Sequence, residues 1–474
     1  MNQSMKNGLI YTAIGKYTNV ILNLVINAIL SRILDPSEFG VIAVIQIFIN
    51  FFALIVDAGM GPAIIQNKNL TQKDIGILFN FSIMFAFILA IVFGFSGRLI
   101  AIIFRNDIFI TLAWVQSISV LFNGMNIVPT AVLRKEKRFK KVNLAIVIAN
   151  FAGGILGISL AFLGFGVYAL IGSAISTAVV SFLLILNFSK IKFTKEISLT
   201  PLSSIWAFSR NQFSFNFINY FSRNSDNFLI GRFLGDAALG NYSKSYQLLM
   251  MPNNVLMGIL NPVLQPVLSD YQDDVKYIRE TYYRIVHVLG LIGFPLSIFL
   301  SLSSEQVIYF LFGPNWSDSI LPFSILSLSV WVQMIISSSP SIFQARNQTK
   351  LLFSNGIIGA IILVSSTVIG VLLGSITTVA ITLTIGFIIN FFVSYYRMVK
   401  YCLLDSYFNF LKQFYTPFLL SILVFIPLKI FEFFEPSHVF LNLLFRGTIF
   451  VAVLGTFIMF TNEKKLILKF LGKK

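Results

Sequence analysis

Residues 75–96 read IGILFNFSIMFAFILAIVFGFS, a stretch without a single charged side chain. Its length matches the ~20 residues that an α-helix needs to cross the hydrocarbon core of a bilayer. Comparable runs recur throughout the 474 residues, of which 56% are hydrophobic and only 11% are charged. Soluble domains carry about 25% charged residues, so the composition predicts an all-α integral membrane protein.

Apolar runs of this kind predict about fourteen transmembrane helices. The seventh and eighth are less apolar than the rest, because Arg210, Arg223, Asp226 and Lys244 fall inside them. The predicted spans cover residues 10–34, 39–60, 74–96, 107–133, 142–163, 166–189, 207–231, 239–268, 282–303, 319–344, 351–373, 376–400, 413–431 and 438–460.

Lysine and arginine are unevenly divided between the two sides of the membrane that these spans define. One side holds the basic run at 134–141 and the basic tail at 464–474. Because basic residues crowd cytoplasmic loops, we predict a multi-pass protein of the plasma (inner) membrane with both termini in the cytoplasm. The net charge of +16 then reflects topology and contact with anionic membrane lipids, and no nucleic-acid partner is predicted. The opposite side holds only Arg32, Arg98, Arg105, Arg232 and Lys429.

What the sequence lacks weakens several classes of function. Cys402 is the only cysteine, so neither an intramolecular disulfide nor a cysteine-based metal site can form. His287 and His438 have no acidic or histidine partner at metal-ligand spacing, and we interpret both as interface or packing residues. There is no phosphate-binding loop of the G-x-x-x-x-G-K-[ST] type, and the connections are too short for a catalytic domain. We therefore predict no metal, no cofactor and no enzymatic activity.

An internal repeat relates two parts of the chain at an offset of 200 residues. LSRIL at 30–34 aligns with IGRFL at 230–234, and Gly40 aligns with Gly240. Repeats of this kind are common in transporters. The match continues into the preceding helices, where Lys16, Asn19, Asn23 and Asn27 align with Asn216, Asn219, Arg223 and Asn227.

The repeat predicts how the chain is divided. A looser correspondence near an offset of 211 pairs Pro129 with Pro340. We predict two pseudo-symmetric six-helix bundles, at 1–200 and 201–400, that run the same way through the membrane and face one another across a cleft. Residues 401–474 form two extra transmembrane helices, packed outside the bundles, and a basic cytoplasmic tail.

Polar side chains recur every three or four residues on four of the spans, so each set shares one helix face. An ionised side chain at mid-bilayer costs about 2.5–3.5 kcal/mol on insertion scales, so these faces must meet water or protein. Single amides often only join helices, but four stripes in matching positions favour a hydrated cavity. The stripes are Lys16, Asn19, Asn23 and Asn27; Gln46, Asn50 and Asp57; Gln212, Asn216, Asn219, Arg223 and Asp226 or Asn227; and Lys244, Gln247, Asn254 and Asn261.

A cavity of this composition is cationic and rich in amides. Basic side chains suit a phosphate or diphosphate, whereas Asn and Gln offer the donors and acceptors that sugar hydroxyls need. Arg223 and Asp226 lie three residues apart, so they alternatively pair with each other.

Five motifs resemble those of a known family. They are LSRILDPSEFG at 30–40, DAGMGPAIIQ at 57–66, DNFLIGRFLG at 226–235, LGNY at 239–242 and FGPNW at 312–316. Together they are similar to the polysaccharide transport family, the Wzx-like flippases of the multidrug/oligosaccharidyl-lipid/polysaccharide (MOP) exporter superfamily, and the resemblance covers nearly the whole chain.

The resemblance implies a flippase that moves undecaprenyl-diphosphate-linked oligosaccharide from the cytoplasmic to the outer leaflet by alternating access. The product is a capsule, exopolysaccharide, O-antigen or teichuronic-type polymer, and partners include a polysaccharide polymerase and a chain-length regulator. We expect Asp57 and Asp226 to couple transport to H⁺ or Na⁺. The expected cavity residues for the lipid-linked oligosaccharide are Lys16, Asn19, Asn23, Asn27, Arg210, Asn219, Arg223 and Lys244.

Three alternatives stay open at the level of sequence. The first is a drug or organic-cation antiporter of the same superfamily, which a cationic cavity and two extra helices disfavour. The second is a membrane-embedded polysaccharide polymerase or glycosyltransferase, which usually has a large external loop or an acidic pair beside an early helix. The third is a scaffold without transport activity in a polymer-assembly complex.

Overall fold

The structure is a computed structural model that describes residues 3–57, 60–67, 69–191, 194, 198, 200–202, 220, 224–461 and 463. Every regular element in these ranges is a helix, which confirms the all-α prediction. Eleven of the helices in the described part of the chain are long and apolar enough to cross a membrane, so the protein is a multi-pass membrane protein. A twelfth span results if Pro314–Ser327 and Val330–Ala345, bent by 55°, count as one.

The total of fourteen spans stays a prediction. The seventh predicted span lies mostly outside the described residues, which omit 203–219 and 221–223. The eighth corresponds to a helix at Asp236–Ser269, which is not among the eleven. Its interior contains Lys244 and several amides, and these lower its hydropathy.

The chain divides into two compact units, Met1–Gly240 and Asn241–Lys474. The predicted boundaries at 200 and 400 stay predictions. The helices of the first unit are α1 (Gln3–Ile33), α2 (Pro36–Asp57), α3 (Met60–Gln66), α4 (Gln72–Phe104), α5 (Ile108–Met125), α6 (Ile127–Lys135), α7 (Phe139–Phe162) and α8 (Val167–Ser189).

Close helix packing in the first unit depends on small residues, as is usual within membranes. A Cβ added to Gly97 of α4 would lie 2.7 Å from the Cβ of Ala113 in α5. A Cβ on Gly154 of α7 would lie 2.3 Å from the side chain of Ile26 in α1. These glycines let α4 pack against α5 and α7 against α1.

The second unit contains most of α9 (Asp236–Ser269), whose first residues belong to the first unit. In this unit the helix Thr349–Leu372 packs against Ile376–Tyr401, and the helix Tyr415–Phe431 packs against both Val275–Leu302 and Val439–Phe460. Short 3₁₀ helices occupy Pro314–Ser319, Lys412–Phe414 and Glu432–Phe434. The remaining helices are α10 (Val275–Leu302), α11 (Ser304–Leu311), α12 (Ile320–Ser327), α13 (Val330–Ile336), α14 (Ser339–Ala345), α15 (Thr349–Leu372), α16 (Ile376–Tyr401), α17 (Tyr407–Leu411), α18 (Tyr415–Phe431) and α19 (Val439–Phe460).

Backbone geometry repeats at the positions that the sequence repeat relates. The N–H of Leu34 donates to the carbonyl of Leu30 at 2.9 Å, and the N–H of Leu234 donates to that of Ile230 at 2.8 Å. At an offset of 210, Lys137 and Asn347 both adopt positive φ, 58° and 54°. In both copies the N–H of the next residue donates to the carbonyl of the residue five positions before it, at 2.8 Å and 2.7 Å, and this hydrogen bond closes the turn.

Candidate functional site

The polar stripe of α1 divides into exposed and half-buried members. Lys16 and Asn23 are exposed, whereas Asn19 and Asn27 are half-buried. The amide oxygen of Asn19 accepts a 2.9 Å hydrogen bond from the amide of Asn150 in α7, which joins the two helices. The amide of Asn27 donates to the carbonyl of Asn23 at 2.9 Å. Lys16 and Asn23 therefore have the accessibility that ligand binding needs, and Asn19 has a contact of the helix-joining kind.

Lys244 of α9 lies inside the second unit with only 3% of its surface exposed. Its ammonium nitrogen is 4.8 Å from the centre of the Phe312 ring and 5.4 Å from that of Trp316. Both rings come from the FGPNW motif, and aromatic faces attract a desolvated cation. Gln247, which the sequence placed on the same stripe, is exposed. The two residues thus have different surroundings although they lie on one helix.

Three predicted site residues, Arg210, Asn219 and Arg223, lie outside the described residues. Asp226 is described and half-buried, and its carboxylate accepts a 2.8 Å hydrogen bond from the backbone N–H of Asn227. The role of all these side chains, and the pairing of Arg223 with Asp226, stay predictions.

A cavity of about 370 Å³ opens in the first unit and is lined by residues of α2, α3, α5 and α6 together with Asn126. Asp57 is the last residue of α2, and Asn126 lies between α5 and α6, where its backbone N–H donates to the carbonyl of Phe122 at 3.1 Å. Besides these two residues, the polar side chains that line the cavity are Asn123, Thr130 and Arg134.

Hydrogen bonds fix part of the cavity wall. Asp57 accepts from the backbone N–H of Gly61 at 3.2 Å, and a Cβ on Gly61 would lie 3.0 Å from the same carboxylate oxygen. The amide of Asn126 donates to the hydroxyl of Ser181 in α8 at 3.1 Å, and the Thr130 hydroxyl donates to the Asn126 amide oxygen at 3.4 Å. In contrast, Asn123 and Arg134 are exposed.

Of the five polar lining residues, only Asp57 was a predicted site residue. Asn123, Asn126, Thr130 and Arg134 follow one another at spacings of three, four and four, which is the period of one helix face. The signal was therefore present in the sequence as a fifth polar stripe. It was missed because Arg134 begins the basic run and was interpreted as part of a solvated loop.

The described residues contain no group of three or more His, Cys, Asp or Glu side chains that could hold a metal ion. His287 lies 3.0 Å, through Nε2, from the carboxylate of Glu463, and its Nδ1 is 2.8 Å from the carbonyl of Gln413. It therefore joins α10 to the C-terminal part of the chain, in agreement with an interface role.

The family model described as "Polysaccharide biosynthesis protein" matches residues 29–322, more than half of the chain. The chain belongs to this family. The lipopolysaccharide biosynthesis protein WzxC of Escherichia coli is 25% identical over 88% of this chain and 85% of its own length. The teichuronic acid biosynthesis protein TuaB of Bacillus subtilis is 24% identical over 89% of this chain and 87% of its own.

Two solved structures define the fold. The lipid II flippase MurJ, in an inward closed conformation, matches 98% of this chain and 100% of its own with a TM-score of 0.76 and 17% identity. An inward-facing multidrug-resistance MATE transporter of the MOP superfamily matches 82% of this chain and 96% of its own with a TM-score of 0.65 and 16% identity. The membership of a polysaccharide biosynthesis family that the five motifs predicted is confirmed.

Proposed function

We propose that this protein is a flippase that carries a lipid-linked oligosaccharide from the cytoplasmic to the outer leaflet for a cell-surface polysaccharide. The observation that carries this proposal is the combination of a fold shared with a lipid II flippase and relatives named for lipopolysaccharide and teichuronic acid biosynthesis. The lipid carrier is an undecaprenyl diphosphate, the protein lies in the inner membrane, and both of its termini are cytoplasmic. A polysaccharide polymerase and a chain-length regulator act beside it.

The physical task is to move a charged and heavily hydrated head group through hydrocarbon. An isolated ion loses tens of kcal/mol of hydration in a medium of low dielectric constant, so a spontaneous crossing is extremely slow. A polar path removes this barrier while the lipid tail stays in the bilayer. Alternating access exposes that path first to one leaflet and then to the other.

The residues proposed for this path differ in their chemistry. Lys16, Arg210, Arg223 and Lys244 supply positive charge for the diphosphate, and the amides on α1, with Asn219, supply donors and acceptors for sugar hydroxyls. Asp57 and Asp226 are proposed to couple transport to H⁺ or Na⁺. The exposure of Lys16 supports its part in binding the head group. For Lys244 to bind the head group, the protein must adopt a conformation in which the aromatic rings no longer enclose its ammonium group.

Reconstitution in liposomes tests the proposal. Vesicles receive undecaprenyl-diphosphate oligosaccharide with a fluorophore on the sugar, and dithionite added outside reduces only the molecules in the outer leaflet. We expect full-length protein to bring all of the label within reach of dithionite, whereas protein-free vesicles keep about half protected. Protection that stays the same with active, folded protein would contradict the proposal.

The same vesicles separate the alternatives. Uptake of an organic cation such as ethidium against an H⁺ or Na⁺ gradient, without transfer of the lipid, identifies an antiporter. New glycosidic bonds between labelled units identify a polymerase or glycosyltransferase. If folded protein shows neither of these activities nor lipid transfer, the scaffold alternative remains. In cells, Arg223→Gln is expected to abolish polymer export, and normal export would remove Arg223 from the mechanism.

A further inference from the structure

The cavity in the first unit has a lining of mixed charge. Asp57 contributes a carboxylate, Arg134 contributes a guanidinium, and Asn123, Asn126 and Thr130 contribute neutral donors and acceptors. Its volume of about 370 Å³ is within the range of small-molecule sites. It is thus large enough for a small polar ligand.

The charges argue against a small ion as the occupant. An anion such as phosphate would be attracted to Arg134 but would also face the carboxylate of Asp57. A cation would meet the reverse situation, because it would be attracted to Asp57 and repelled by Arg134. A neutral molecule with several hydroxyl groups avoids both penalties, because each hydroxyl donates to a carboxylate and also accepts from a guanidinium.

The hydrogen bonds around the cavity leave capacity for such a ligand. Asn126 uses its amide N–H₂ toward Ser181 and its oxygen toward Thr130, so these side chains are held in place. The exposed Asn123 and Arg134 contribute donors, since a guanidinium carries five N–H groups in a fixed plane. A small number of placed polar groups that fix the orientation of a ligand is typical of small-molecule sites.

We propose that this cavity binds one neutral sugar ring of the oligosaccharide. Arg134 and Asn123 donate to its hydroxyl oxygens, and the carboxylate of Asp57 accepts from its hydroxyl groups. This inference rests on the proposed flippase function and deepens it by assigning a saccharide subsite within the first unit. Arg134 begins the basic run that the topology places in the cytoplasm, so the subsite engages the head group before it crosses.

Saturation-transfer NMR on the full-length protein in detergent tests the subsite. The probes are glucose, galactose and N-acetylglucosamine, with inorganic diphosphate and Na⁺ as charged comparisons. We expect at least one sugar to receive saturation, and neither charged ion to displace it. Arg134→Gln combined with Thr130→Val is expected to weaken sugar binding about tenfold, because hydrogen bonds to the ligand are lost. Failure of all three sugars to bind would overturn the inference.

Two control variants distinguish the cavity from general effects of charge and folding. Lys137→Gln removes one positive charge from the same basic run at an exposed position outside the lining. Thr177→Val removes a hydroxyl that bonds to Ser173 within its own helix at 2.9 Å. Both should bind sugar as the wild type does. Equal weakening by the controls and by the cavity variants would contradict the subsite.

Asp57→Asn separates the subsite from ion coupling. The amide keeps an oxygen acceptor, so sugar binding should fall only a few-fold, whereas a role in coupling to H⁺ or Na⁺ requires the ionisable group. Vesicle transfer completes the test. Sugar binding through the cavity without lipid transfer would defeat the flippase proposal alone. Transfer by the wild type, with no effect of the cavity variants on sugar binding, would defeat the subsite alone.

Discussion

The fourth span of the first unit and its counterpart in the second each have a helix boundary, at Asn126 and before α14, but the surroundings of the two boundaries differ. In the first unit Asn126 lines the cavity. In the second unit the boundary before α14 lies beside buried hydroxyl groups: Tyr282 lies 3.0 Å from the Ser338 hydroxyl and 2.6 Å from that of Tyr395.

The difference shows that a helix boundary does not by itself make a binding site. The backbone N–H of Asn126 donates to the carbonyl of Phe122 and that of Ser338 to the carbonyl of Ile335, both at 3.1 Å, so the two boundaries differ in their side chains. In the second unit the hydroxyl of Tyr395 also donates to the carbonyl of Ile335, at 2.8 Å. In the first unit the described residues that line the cavity include no aromatic side chain. Side chains from neighbouring helices therefore decide which of the two similar boundaries is accessible.

The largest effect is expected from filling the cavity of the first unit with an aromatic side chain, since aromatic side chains fill the corresponding place in the second unit. Thr130→Trp places an indole in the cavity, so the sugar ring is excluded and lipid transfer in vesicles should fall to the level of protein-free vesicles. Ile118→Trp, at a position of the same span that is 42% exposed, is the matched control and should transfer normally. Normal transfer by a folded Thr130→Trp protein would show that the cavity is not used.

A smaller effect is expected from weakening the hydrogen-bond network before α14 in the second unit. Tyr395→Phe removes the hydroxyl that bonds to Tyr282 and Ile335, so buried polar groups lose partners at a cost of about 1–3 kcal/mol. Denaturation in mixed micelles should show this loss in the free energy of unfolding, with transfer retained once the protein is folded. The neighbouring Tyr396→Phe changes a ring that is 45% exposed and should unfold like the wild type. Equal stability of the two variants would contradict a structural role for the network.

The smallest effect concerns a surface connection of the second unit. Burial opposes ionisation of Asp405, but the backbone N–H of Ser406 and donors from Tyr283 and Asn409, with the nearby Arg279, hold the pKa of its carboxyl below the ordinary value. Because the pKa of Asp405 is lower in the folded state, its ionised carboxylate stabilises the fold above the ordinary pKa of 3.8. This stabilisation is lost as the pH falls through the pKa of Asp405 in the folded protein.

Asp405→Asn should therefore remove about 1 kcal/mol of stability at pH 7. It should also reduce the fall in the free energy of unfolding as the pH drops below the ordinary pKa of 3.8. The measurement is micellar denaturation at a series of pH values. An unchanged pH profile would mean that other carboxylates control the acid sensitivity.

The residues that share a helix face were predictable from the sequence, because they depend on the spacing of polar residues along one helix. The surroundings of each face were not predictable in this way. Asn19 was correctly placed on a polar face, yet its partner Asn150 lies 131 residues away in the chain. Lys244 was likewise placed on a polar stripe, and its enclosure depends on Phe312 and Trp316 from a distant motif. Period identifies the residues that share a face, whereas packing decides what covers that face.

The sequence by itself determined the membrane location, the helical class and the repeated motif at 30–34 and 230–234, because hydropathy and local pattern act over a few neighbouring residues. Only the tertiary structure decided that Asp57 and Arg134 share a cavity and that Glu463 lies beside His287. Such contacts join residues far apart in the chain, and they arise when helices pack with small residues at their crossings. The two corresponding spans show the same contrast. Local sequence accounts for the helix boundaries, and side chains from neighbouring helices determine which boundary lies beside an accessible cavity.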